Sequence, residues 1–159
     1  IANAISVIIM IVLAVPAFFR YQNFHTFDLL KVYIGIVLSL LSMFPHEFLH
    51  AICFKKDVYM YSNLSQGMMF VIGPETMSRK HFVFMSLLPN LVFGVIPYII
   101  GMIFPNMIIL LSLGIFATGM GAGDYLNIFN ALTQMPKGAR TYLYQFNSYW
   151  YIPQNEKDI

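Results

Sequence analysis

The stretch "LLKVYIGIVLSLLSMFPHEFLHAICFKK", Leu29–Lys56, decides how this chain must fold. Between Lys31 and Lys55 it has no Lys or Arg, and its one acid is Glu47. An apolar run of this length fits a helix crossing about 30 Å of hydrocarbon, which takes roughly 20 residues. Its final third nevertheless carries His46, Glu47 and His50. Ionisable groups at membrane depth cost several kcal/mol and usually mark function.

The rest of the chain agrees with a membrane setting. Of 159 residues, 58% are hydrophobic and 10% charged, and the mean hydropathy is +0.69. A soluble domain would carry roughly a quarter charged residues. The net charge of +2 gives no nucleic-acid footprint, and the one cysteine, Cys53, excludes an internal disulfide framework. The first residue is Ile1 rather than Met, as in a chain whose natural N-terminus has been trimmed, and no basic segment of a signal peptide precedes the first apolar run.

Four apolar segments are long enough to span: residues 2–19, 29–54, 81–104 and 106–132, the third interrupted by Pro89 and Pro97. A tail, 133–159, follows. The expected fold is an all-α polytopic membrane protein of about four transmembrane helices, forming a single domain over 1–159. In the polar loop 55–80, "VYMY" (Val58–Tyr61) and "MMFVI" (Met68–Ile72) are β-prone runs separated by "SNLSQG". A short β-hairpin between the second and third spans is one reading, an irregular loop in the headgroups the other.

Charge sets the expected orientation. With four spans, the termini and the 55–80 loop share one side, which holds Lys55, Lys56, Arg79, Lys80, Lys137, Arg140 and Lys157. The other side has Arg20 and Lys31. The Lys/Arg excess places the first side in the cytoplasm. A multi-pass protein of the cytoplasmic membrane follows, with the lipid bilayer as its first partner and no nucleic acid.

His46-Glu47-Phe48-Leu49-His50 is H-E-x-x-H on a predicted helix. Positions four apart stack on one helix face, so both imidazoles can reach one ion. The glutamate one residue along stands where it can take a proton from water at that ion. With this composition the pattern should arise by chance in about two of a thousand chains.

Two histidines do not complete a catalytic zinc site, which wants three protein ligands. Asp124, in "TGMGAGDYLNIFNAL", is the only acid between Glu75 and Glu156, and no Lys or Arg lies between Lys80 and Lys137 to pair with it. It sits about eight residues from the inner end of the fourth span, while His46 and His50 sit about four to eight before Phe54. At 1.5 Å per residue these depths match within roughly one turn. A divalent metal reconciles four polar groups at one depth without a local cation. Gly119 and Gly123 form a small-xxx-small pattern that would let another helix come close to Asp124.

Other candidates rank lower. Cys53 shares the face of His46 but lies about 10 Å along the axis. Glu75 and His81 would have to fold back from the inner loop, and His25 and Asp28 belong to the opposite side. Pro45 removes a helix hydrogen bond just before the motif. Asn90 in "LLPN" and Asn127 are polar at membrane depth, suited to a substrate carbonyl or to a neighbouring helix.

These residues resemble the intramembrane zinc metalloproteases of the site-2 protease class, which carry H-E-x-x-H in one core transmembrane helix and an aspartate, commonly in a D-G pair, in a later one. The resemblance implies His46, His50 and Asp124 as zinc ligands and Glu47 as the base. Here the order is Gly123-Asp124-Tyr125, with glycine before the aspartate, and the N-x-x-P-x-x-P-x-D-G context is absent. The layout is similar, over most of residues 30–135, to a family of zincin peptidases of unassigned function. Members have H-E-x-x-H in an early span, a proline-containing span near "SLLPN" and a G-D late in the last span.

The expected activity is a zinc-dependent intramembrane endopeptidase that hydrolyses a peptide bond of a membrane-protein or peptide substrate near the cytoplasmic face. A non-catalytic membrane zinc protein is a rival, although structural zinc has no use for a base beside its ligands. An ion transporter is a weaker rival, with no inverted repeat and few charges along a path.

Overall fold

The computed structural model describes residues 2–22, 28–63, 68–144 and 147–154. His25, the loop tip 64–67 and Lys157 lie outside them. The fold is mostly helical, with a few short strands. Three helical stretches are long and apolar enough to cross a membrane: Ala2–Tyr21, Leu29–Ala51 and Arg79–Ile103. A fourth crossing is made only if the bent pair Ile108–Met120 and Ala122–Gln134, which turns by 51°, counts as one span.

Two clusters define the ends of the bundle. At one end, Ala17 and Tyr21 of α1 (Ala2–Tyr21) meet Ile108 and Leu111 of α6 (Ile108–Met120), with Val32 of α2 (Leu29–Leu41) and Tyr98 and Met102 of α5 (Ile96–Ile103) against them. At the other, Phe82 and Met85 of α4 (Arg79–Pro89) meet Ala131 of α7 (Ala122–Gln134) and Met135. Cys53 and Phe54, just past α3 (Met43–Ala51), pack there as well. Outward faces stay apolar: Ile8, Ile11, Val12, Val15 and Phe18 of α1 are all exposed, as lipid-facing side chains are.

α6 is the central helix. Its buried face is small and polar-tipped, with Ser112, Gly114, Ala117, Thr118 and Gly119, and it packs against α1, α2 and α5. Such faces let backbones approach closely, as small residues do wherever apolar helices pack. A Cβ on Gly35 of α2 would overlap the Ser112 hydroxyl of α6.

Breaks in the helices follow from particular residues. Pro45 cannot donate to the carbonyl of Leu41 and its ring crowds that oxygen, and the second span is interrupted at Ser42. The third span carries a π-helical turn, Asn90–Val95, between Pro89 and Pro97. There the Asn90 N–H bonds to Leu87 O, and the Ser86 carbonyl accepts instead from the Asn90 side chain at 2.9 Å. The bend at Gly121 has no proline; Asp124 N–H returns to Gly121 O at 3.0 Å, opening the first turn of α7.

The 55–80 segment holds the antiparallel hairpin β1 (Tyr59–Asn63) and β2 (Met68–Ile72), with Tyr59 opposite Ile72 and Asn63 opposite Met68. The described part of the tail also forms strands, which the helical expectation missed. β3 (Met77–Ser78), β4 (Arg140–Tyr144) and β5 (Asn147–Tyr151) form a second antiparallel sheet in that order. Gly138, at φ +88°, makes the left-handed turn that carries the chain from α7 into β4.

Ahead of β3, Glu75 accepts the backbone N–H groups of Lys55 at 2.7 Å and Lys56 at 3.0 Å. The Lys55 N–H above all holds its carboxyl below the ordinary value of 4.5. A depressed folded pKa means that this contact is at full strength above pH 4.5 and is lost as pH falls through the lower folded value. The protection of the Lys55 and Lys56 amides, relative to their intrinsic exchange rates, should therefore fall on acidification below pH 4.5, and this pH dependence should vanish in Glu75→Gln.

Candidate metal centre

α3 is short, but it places the two histidines of its motif one turn apart. The rings of His46 and His50 meet edge to face, 5.0 Å between centroids, and both turn toward α7. Asp124 comes from the first turn of α7, where free backbone N–H groups favour a carboxylate. His46 Nε2 lies 3.1 Å from Asp124 Oδ2, and His50 Nε2 lies 3.4 Å from Asp124 Oδ1. One ligand atom from each of these residues falls within 4.8 Å of the others.

The donor set fits a zinc ion on an independent ground. His50 Nδ1 stands 3.0 Å from the carbonyl of Met85. A carbonyl only accepts, so Nδ1 carries the proton and the Nε2 lone pair of the neutral ring points at Asp124. With that ring neutral, two acceptors face each other at 3.4 Å, an arrangement that a shared divalent cation satisfies. Ligands about 2.0–2.1 Å from a tetrahedral zinc lie about 3.3 Å from one another, and the two His–Asp124 separations, each to a different carboxylate oxygen, fall on either side of that value.

Asp124 is held from behind. Asn90 Nδ2 donates to its Oδ2 at 2.8 Å as well as to the Ser86 carbonyl. Asn90 is 1% exposed, wedged against the α6–α7 bend, and a Cβ on Gly121 would overlap its Oδ1. The close-approach glycine is thus Gly121. Of the pair read from sequence, Gly119 packs on Met10 of α1, and a Cβ on Gly123 would meet nothing within 4 Å among the described residues.

Glu47 is buried beside the three, and the backbone N–H of Val71 in β2 lies near its carboxylate. No side-chain pattern could have revealed this donor, because it belongs to the main chain.

The lower-ranked candidates are occupied elsewhere. Cys53 Sγ donates to Leu49 O, His81 Nε2 pairs with Cys53 O at 2.8 Å, and Asp28 caps α2 through the Leu30 N–H. Asn127 does not join the cluster; its Oδ1 accepts from Ser148 of β5 at 3.1 Å.

A protein-family model described as "putative zincin peptidase" matches residues 39–140, which include His46, Glu47, His50, Asn90 and Asp124. The chain belongs to this zincin family. Membership points to a metallopeptidase and to zinc as the ion that His46, His50 and Asp124 could hold. No curated protein and no solved structure matches the chain.

Proposed function

We propose that this zincin is a zinc-dependent endopeptidase of the site-2 protease type, working within the membrane close to its cytoplasmic face. His46, His50 and Asp124 are the ligands and Glu47 is the general base. The observation that carries this reading is the convergence of two imidazoles and one carboxylate beside a buried glutamate.

Bound zinc supplies Lewis acidity, polarising a carbonyl and lowering the pKa of a water toward about 7. Glu47 takes the proton of the attacking water and returns it to the departing amine. The Val71 N–H of β2 lies near the Glu47 carboxylate. In its two-stranded sheet β2 pairs with β1 along one edge, which leaves the opposite edge. Within the described residues this edge of β2 is unpaired, so an extended, unwound substrate segment can add to it as a further strand beside Glu47.

The test is cleavage of a reporter peptide by the full chain in lipid vesicles. Chelation should abolish it and stoichiometric zinc should restore it; cleavage that survives complete metal removal contradicts the proposal. Asn90 positions Asp124 and does not itself touch the metal. Asn90→Leu should therefore keep the metal but weaken its affinity by about 10–100-fold, as loss of a ligand's supporting hydrogen bond typically does. Competition with a chromophoric chelator reads this directly.

A further inference from the structure

The C-terminal sheet has two unlike faces. Side chains alternate along a strand, and the register sets Tyr142 opposite Tyr149, Thr141 opposite Trp150 and Leu143 opposite Ser148. Thr141 is buried, Leu143 packs on the Phe82–Met135 cluster, and Ser148 reaches Asn127 of α7. That face lies on the flanks of the first turns of α4 and the last turns of α7. The opposite face presents Tyr142, Tyr144, Tyr149 and Tyr151, all exposed. Tyr142 stacks on Tyr149 at 5.7 Å and meets Tyr151 edge-on at 6.1 Å.

We propose that this four-tyrosine face lies in the lipid headgroup layer and anchors the sheet to the bilayer surface. The inference rests on reading the apolar helices as membrane spans. The sheet grows from two of their ends, β3 leading directly into α4 and β4 following α7. Its outer face is therefore level with the border of the apolar belt, where the bilayer changes from hydrocarbon to headgroup. Tyrosine suits that border, its ring in the acyl boundary and its hydroxyl among the headgroups. The charge agrees: the sequence has no Asp or Glu between Asp124 and Glu156, while Lys137 precedes the sheet and Arg140, whose guanidinium also donates to Thr76, opens β4, matching an anionic lipid surface. Through Ser148 and Asn127 the anchored sheet is tied to α7, the helix that carries Asp124.

The chain has a single tryptophan, Trp150, so fluorescence can report depth. In full-length protein in mixed phosphatidylcholine–phosphatidylglycerol vesicles, a Trp150→Phe, Tyr149→Trp variant moves the reporter onto the tyrosine face. Its emission should fall more with a nitroxide on the lipid headgroup than with one at mid-chain, and only weakly with aqueous iodide. Free quenching by iodide with no effect of lipid-borne nitroxides would overturn the proposal. So would protection from both, which would mean that protein covers the face. Native Trp150, one residue away at the rim of the sheet, checks that the variant reports the same fold. A Trp150→Phe, Val12→Trp control separates the two readings. Quenching of Val12→Trp at mid-chain keeps the membrane spans whatever the sheet does, and its absence removes the membrane reading and the anchor together.

Discussion

Glu47→Gln is expected to hold one zinc per chain and to cleave a reporter peptide about 10²–10⁴-fold more slowly than the unaltered chain. The amide has the shape of the carboxylate and still offers an oxygen to the Val71 N–H, so the helix and its packing survive. What it cannot do is accept a proton from water. Metal analysis beside single-turnover cleavage reads both halves of the expectation. Full activity in Glu47→Gln removes Glu47 from the role of base. Zinc bound with no peptide cleaved by either protein favours the non-catalytic zinc protein instead.

Asp124→Ala has the larger expected effect on the metal. Both Asp124 oxygens face imidazole nitrogens, at 3.1 and 3.4 Å, so removing them leaves two imidazoles and no carboxylate between them. Zinc affinity should fall by more than the about 10–100-fold that loss of an outer hydrogen-bonding partner costs. Added zinc should raise the unfolding temperature of the unaltered chain, because it binds only the folded form, and leave that of Asp124→Ala unchanged. Equal zinc stabilisation of both proteins would show that the third ligand is another residue.

Much of this arrangement was legible in the order of residues, for reasons that differ by residue. His46 and His50 declare a shared face because helical periodicity is rigid over one turn. Asp124 could be brought to them from seventy-odd positions away because axial rise converts a count of residues into depth. Pro89 and Pro97 announced a disturbance in the third span, though not that it would be a π-turn that presents Asn90 to Asp124. The Gly121 bend gave no sign, since glycine in a membrane helix more often marks close packing, and the pattern pointed to Gly123, where a Cβ would meet nothing within 4 Å among the described residues. The tail sheet had a visible signal: "RTYLY" and "NSYWY" are β-prone aromatic runs on either side of a short connection. Their aromatics read equally well as an unstructured interfacial tail. The approach of the Val71 N–H to Glu47 could not be read at all, because every residue but proline carries the same N–H.

The most direct test of the metal centre is anomalous diffraction from crystals of the full chain at the zinc absorption edge. A single peak bonded to His46 Nε2, His50 Nε2 and an Asp124 carboxylate oxygen, with Glu47 unbonded beside it, is the predicted result. A peak whose protein ligands do not include Asp124, or no peak in protein that cleaves peptide, would contradict it.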